Sequence, residues 1–379
     1  MLCSLPFKSV VMVDYDGINC KQYTPCLAYI QTDGVCESNN PKNILDWTDE
    51  QLTPDQVLES PKFKELQDCM KRGIKHPSCQ SCWNAEDKGE PSYRLNLFPF
   101  EEDTKELIVE INCSSICNIA CRMCAPFAST RLLKDLRYFE ENNLDIHSVT
   151  DNFFSNKPID SLNSIQWKWI KNNSHKIGGL CLAGGEPLAN KEVIDTLQMF
   201  VDIGTAKTIN LSLRTNALLI DKHFDLINNF RGLYLNISVD GVGKIYDYIR
   251  YPGKWTKFND NIKSLQEYCD VKDFRFLTVV NALNVFDLNN IIDWNPGILK
   301  FNEVYPFKRG IGVRSLSSSL LNSIQVKDEN AQNIVDIAKN YPSNKTKLKK
   351  EIEMFDKSRN QSMSNYLEPA LVEWLNESD

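Results

Sequence analysis

The chain has 379 residues, of which 42% are hydrophobic, 25% charged and 10% aromatic. That length holds two or three domains at roughly 100–200 residues each, and the composition excludes a disordered, collagen-like or staple-dependent chain. Lys and Arg total 43 against 50 Asp and Glu, a formal net charge of -7, which argues against a broad phosphate-tracking surface and makes nucleic acid an unlikely partner.

The first residues, MLCSLPFKSVVMVDYDG, reach an aspartate before any signal-peptide pattern develops. No apolar run approaches the ~20 residues that span a bilayer. A cytoplasmic location is expected, where disulfides are rarely kept, so the 13 cysteines need another reason, and metal or redox chemistry is the leading one. Eleven of them lie at or before Cys124, and only Cys181 and Cys269 come later, within apolar patterns that read as core.

Residues 1–105 carry Cys3, Cys20, Cys26, Cys36 and Cys69, then Cys79-x2-Cys82 followed by Trp83. These thiols are candidate metal ligands. Cys26 and Cys36, with Gly34 between them, form an equally plausible loop pair, and four thiolates including a CxxC also satisfy zinc. Cys69 reads as structural.

From residue 106 strands and helices alternate. The expected elements are a strand (ELIVEINC), a cysteine loop, a helix within APFASTRLLKDLRYFEEN, and a strand ending at Ala183. The helix KEVIDTLQMFVDIG, the strand TINLSLRT, the helix DKHFDLINNF and the strand LYLNISVD follow. Helices near 244–250 and 255–269 then precede the strand FRFLTVVNA, a helix near 287–294 and a short strand near 302–306. Six such units predict an α/β fold, an open partial (β/α)6 TIM-like barrel with right-handed crossovers. A Ser-rich loop and helices complete residues 311–379, where KNYPSNKTKLKKEIEMFDKSR mixes charges as a solvated helix face does.

The loop after the first barrel strand reads Cys117-x3-Cys121-x2-Cys124. Three thiolates so spaced can hold one iron–sulfur cube and leave its fourth iron open for chemistry. Chance supplies on the order of 0.01 such matches in a chain of this cysteine content. The alternatives are a zinc site with Cys113 as fourth ligand, or small buried residues at a helix start. The strand ending at Ala183 runs into Gly184-Gly185-Glu186-Pro187, where glycines admit close backbone approach and the glutamate suits an amino group better than a phosphate.

With these residues the sequence resembles the radical S-adenosylmethionine (radical SAM) superfamily over about residues 106 to 310. CNIACRMC resembles its cluster loop and LAGGEP its methionine-amine motif. RTNALL (214–219), NISVDG (236–241), YDYIRYPGKW (246–255) and VVNALN (279–284) resemble its later strand ends in order. Met123 stands where an aromatic is common, and Ala217 where a glycine is usual.

The resemblance implies a site-differentiated [4Fe–4S] cluster on Cys117, Cys121 and Cys124 that cleaves S-adenosylmethionine reductively, giving a 5′-deoxyadenosyl radical for hydrogen abstraction. It implies that Gly184, Gly185 and Glu186 receive the methionine amine, that Ser238 and Arg250 hold its carboxylate, that Met123 packs near the adenine, and that Asn216 and Asn281 line the ribose or adenine pocket. Residues 1–105 resemble a twitch or SPASM-type auxiliary module, placed before the barrel as in a subgroup met in bacteriophage genomes. That resemblance implies a second iron–sulfur cluster with Cys3, Cys20, Cys79 and Cys82 as candidate ligands, with zinc as the alternative, and a peptide or protein substrate with a flavodoxin or ferredoxin as electron donor. The competing readings are radical chemistry on a nucleoside or small metabolite, and a non-catalytic metal-stabilised binding protein.

Overall fold

The computed structural model describes residues 3, 5–15, 20–24, 53–89, 92, 107–150, 154, 164–304 and 309–377. One eight-stranded sheet organises them, in the order β2-β1-β3-β4-β5-β6-β7-β8. Its strands are β1 (Ser9–Tyr15), β2 (Cys20–Thr24), β3 (Leu107–Asn112), β4 (Ile177–Ala183), β5 (Asn210–Thr215), β6 (Gly232–Ser238), β7 (Val271–Val280) and β8 (Ile298–Glu303). β2 is antiparallel to β1; every other neighbouring pair is parallel. Seven parallel strands thus curl into a half-barrel wrapped by helices, the TIM-like α/β architecture that the alternation predicts.

Parallel strands buried on both faces read as continuous apolar runs. β4 does so: all of Ile177–Leu182 is buried. β8, at the edge, alternates exposed and half-buried positions instead. Helix α1 is Leu133–Glu141 and helix α2 is Lys191–Asp202. Asn190 caps α2 by accepting from the Glu192 amide, and α2 buries Val193, Thr196, Leu197 and Phe200 at the i, i+3, i+4, i+7 spacing of a single helical face. Helix α3 (Trp255–Tyr268) repeats that spacing with Phe258, Asn261, Ile262 and Leu265.

Two features differ from the sequence expectation. Within residues 1–105, β1 adds a seventh parallel strand by pairing Ser9–Met12 with Ile108–Ile111 of β3, because a short apolar run does not announce which distant strand it joins. Helix α4 (Lys345–Arg359) is not a solvated face: it buries Leu348, Glu351, Ile352, Met354, Phe355, Asp356 and Arg359. Its buried charges are paired with Arg309, Arg122 and Asp135 respectively, which is what lets them leave water. Among the described residues no helix is long and apolar enough to cross a membrane.

Candidate active site

The site is assembled where β3 and β4 end. Past the strands, the Cys113 amide donates to Ala183 O (2.8 Å), the Gly185 amide to Ser114 O (2.7 Å) and the Glu186 amide to Ile116 O (2.8 Å). The ladder therefore continues up to the residue before Cys117. Gly184 has φ +112°, and a Cβ there would lie 2.4 Å from Asn112 Oδ1; a Cβ on Gly185 would lie 2.2 Å from Ile116 O. These glycines admit the backbone of the cysteine loop itself, not only a ligand. Gly185→Ala should consequently cost about 1–3 kcal/mol in a denaturant melt, because a backbone carbonyl has to move, and should impair metal uptake as the loop shifts. An unchanged melt with full metal uptake would show that the close approach is dispensable.

Cys117, Cys121 and Cys124 line one cavity of about 420 Å³ together with Met123, Gly184, Gly185, Asn216, Ser238, Asp240 and Arg250. That volume falls in the range of small-molecule sites. Burial pushes the Cys117 and Cys124 thiols up to about 12. It raises Cys121 too, against the opposing charges of Arg250 and Arg359. Thiols so raised stay protonated at neutral pH, and a bound metal is the agent that would deprotonate them. Among the described residues no three His, Cys, Asp or Glu side chains form a group that could hold a single metal ion. Cys113, the fourth ligand of the zinc alternative, is 1% exposed and packs in the main core.

Of the residues singled out in the sequence, Met123, Gly184, Gly185, Asn216, Ser238 and Arg250 share this cavity with the three cysteines. Asn216 donates from Nδ2 to Asn118 Oδ1 (2.7 Å) and approaches Cys117 Sγ at 3.9 Å. Ala217 takes the left-handed conformation, φ +57°, that suits the glycine it replaces. Arg250 is held by Asp240, Nε at 2.7 Å and Nη2 at 2.5 Å from the same Oδ2, while Asp240 Oδ1 accepts the Val279 amide. Asp240 thus orients the guanidinium.

Two singled-out residues stand behind the cavity. Asn281 is fully buried, with Nδ2 donating to Val279 O and Oδ1 accepting from Leu283 N, a side chain folded onto its own turn. Glu186 is 1% exposed; Oε1 accepts from Thr215 Oγ1 (2.8 Å) and Leu188 N (3.2 Å), and Oε2 from Asn216 N (2.7 Å). It ties the end of β4 to the end of β5. Burial pushes its carboxyl up to about 7 despite those donors. A carboxyl raised in the folded state binds more protons there than in the unfolded chain. Its contribution is thus a loss of stability as pH rises from about 4.5 to about 7, worth ~3 kcal/mol at most. The metal-free chain should lose that slope in Glu186→Gln when melts are compared at pH 5 and pH 7.5; identical slopes would contradict the burial of a titrating Glu186.

The sequence reading passed over Glu110, Asn112 and Arg214, which also line the cavity. Arg214 Nη2 lies 3.5 Å from Glu110 Oε1, and burial raises the Glu110 carboxyl while Arg214 opposes the rise. Asn112 Oδ1 is buried without a hydrogen-bond partner. The period-2 placement of Glu110 and Asn112 on one face of β3 was the available signal.

Among the N-terminal thiols, Cys3 and Cys79 both pack against the Leu66, Met70 and Trp83 group, and Cys82 is buried one turn along the Gln80–Asp87 helix that Cys79 caps. Cys69 is buried. The side chain of Cys20, at the start of β2, and all of Cys26 and Cys36 lie outside the described residues. Cys181 is buried in β4 beside Leu5 and Ile108.

Residues 111–294, which include β4 to β7 and every cavity residue named above except Glu110, match the profile of the radical SAM superfamily. Over that span the half-barrel is similar to a radical SAM domain. No curated protein matches the chain in sequence. Among solved structures, anSMEcpe with bound AdoMet is 20% identical over 51% of this chain and 50% of its own, with a TM-score of 0.37. Streptococcus suis SuiB bound to its precursor peptide SuiA is 12% identical over 85% and 65%, TM-score 0.37. TYW1 with a lysine-pyruvate adduct is 15% identical over 59% and 70%, TM-score 0.31. The chain spans about half the length of the anSMEcpe structure it matches.

Proposed function

We propose that the chain abstracts hydrogen from a side chain of a peptide or protein, with Cys117, Cys121 and Cys124 as the thiolates of a [4Fe–4S] cluster that leaves one iron for S-adenosylmethionine. The observation that carries this reading is the meeting of those three thiols with Gly184, Gly185, Ser238 and Arg250 around one cavity at the carboxyl end of the sheet, the functional face of β/α barrels. When bound, the cluster and S-adenosylmethionine supply reductive carbon–sulfur cleavage and hydrogen abstraction.

The chain's own residues bind, orient and exclude water. The backbone edge of Gly184 and Gly185 receives the methionine amine, with the unpartnered Asn112 Oδ1 beside it as a further acceptor. Glu186 acts from behind, holding that edge against Thr215 and Asn216. Ser238 and Arg250 face the carboxylate; a guanidinium has five donors, and Asp240 fixes its plane while leaving others directed elsewhere. Met123 and Asn216 border the adenosyl end. Asn281, behind the wall, keeps the turn after β7 in place.

The N-terminal thiols Cys3, Cys20, Cys79 and Cys82 are proposed to hold a second metal group; the shared packing of Cys3 and Cys79 supports this, whereas Cys20 pairs with Tyr15, at the other end of β1 from Cys3. The substrate proposed for this chemistry is a peptide or protein, with a flavodoxin or ferredoxin supplying electrons. Cluster-loaded, reduced protein given S-adenosylmethionine tests the substrate class. A rise in 5′-deoxyadenosine with a peptide encoded beside the gene supports it, and a rise only with a nucleoside or small metabolite overturns it.

A further inference from the structure

Outside the cavity lining, a buried arginine bonds to the backbone of the cysteine loop. Arg309 is 0% exposed. Its Nη1 donates to Met123 O (2.5 Å), and its Nη2 donates to Arg122 O (2.9 Å) and to Glu351 Oε1 of α4 (2.7 Å). The other oxygen of Glu351 accepts the Ile311 amide (3.0 Å). Between them Gly310 lies so near α4 that a Cβ would sit 2.7 Å from Glu351 Oε2 and 2.7 Å from Lys347 O. The guanidinium therefore reaches two successive carbonyls that lie between Cys121 and Cys124, and one carboxylate from the C-terminal helix fixes it there.

A second pair backs the first. Arg122, itself in the loop, donates from Nη2 to Asp356 Oδ1 (2.6 Å) and from Nε to Tyr248 O (3.0 Å), and stacks 3.7 Å from the Tyr248 ring centroid. Only an arginine offers a planar fork that serves two carbonyls and a carboxylate together. A bare hydrophobic plug would fill the same space at no desolvation cost, so a buried cation at this place calls for a use.

We propose that Arg309, held by Glu351, is a positioning residue with two effects: it fixes the backbone between Cys121 and Cys124, and its buried charge sets the reduction potential of the cluster those thiols hold. This inference rests on the cluster assignment made above. Charge in a low-dielectric interior acts over several ångströms with little screening, so the two members of the pair act in opposite directions. Arg309→Gln removes a buried cation that contacts the loop backbone, whether or not Glu351 then takes up a proton, and makes electron entry harder. Glu351→Gln leaves that cation without its anion and makes electron entry easier. Arg309→Lys keeps the charge but loses the fork.

The test combines two measurements on the full chain. Amide hydrogen exchange of the metal-free protein reads the positioning effect: exchange at Ala120, Arg122 and Cys124 should rise about tenfold in both Arg309→Gln and Arg309→Lys. Potentiometric titration of the reconstituted protein, followed by electron paramagnetic resonance, reads the charge effect. The potential should fall in Arg309→Gln, rise in Glu351→Gln and stay near that of the unaltered chain in Arg309→Lys. If Arg309→Gln does not fold, Glu351→Gln and Arg309→Lys still give the contrast. Iron taken up normally with potentials that shift the same way, or not at all, overturns this inference alone. An unaltered chain that takes up no iron removes the cluster assignment and this inference with it.

Discussion

Replacing Cys121 by alanine is expected to abolish iron uptake at the barrel cluster and to lower 5′-deoxyadenosine formation by more than about 100-fold, beyond what is lost when only a ligand's supporting partner is removed. The thiol lines the cavity with Cys117 and Cys124, and its protonation responds to Arg250 and Arg359 nearby. One sulfur of a half-buried residue contributes little to the metal-free fold. The metal-free variant should therefore melt within about 1 kcal/mol of the unaltered chain, so that loss of iron reports ligation rather than unfolding. Cys113→Ala provides the contrast: its sulfur lies in the core and outside the cavity lining, and iron uptake should persist. Uptake that survives Cys121→Ala but not Cys113→Ala would reverse the ligand assignment.

The largest stability effect is expected from Asp240→Ala. Asp240 is 0% exposed and its partner Arg250 6%. Removing the carboxylate leaves a buried guanidinium uncompensated, at a cost of about 3–5 kcal/mol, and leaves the Val279 amide without its acceptor as well. Arg250→Met removes the matching cation and should weaken S-adenosylmethionine binding in addition, since Arg250 borders the cavity and its guanidinium is the group proposed to meet the carboxylate. Equilibrium denaturation in urea measures the first effect and ligand titration the second. A cost below 1 kcal/mol for Asp240→Ala would mean that the pair is hydrated and does not hold the guanidinium in place.

The half-barrel was legible where local pattern decides structure. β4, β5, β6 and β7 fall within two or three residues of the apolar runs that announce them, and α2 and α3 carry their spacing openly. The meeting of Cys117, Cys121 and Cys124 with Gly184 and Gly185 was legible too, since each lies at a strand end and parallel strands bring such ends together. What escaped the sequence depends on distant partners. Glu186 looks like a ligand until Thr215 and Asn216 are seen to occupy both of its oxygens. Glu351 and Asp356 look like solvated helix charges until Arg309 and Arg122 arrive, the latter from 234 positions away. β1 gives an apolar run but no indication that it docks beside β3.

The central claim is that three sulfur atoms on the β3–α1 loop hold an iron cube whose vacant position opens onto an S-adenosylmethionine pocket. Anaerobic reconstitution, iron quantification and assay of 5′-deoxyadenosine under a strong reductant test it most directly. About four irons per chain on the barrel thiols, or about eight if the N-terminal thiols hold a second cube, together with 5′-deoxyadenosine that depends on the reductant, is the predicted result. A chain that binds four irons yet releases no 5′-deoxyadenosine, or one that binds zinc on these thiols and no iron, would contradict it.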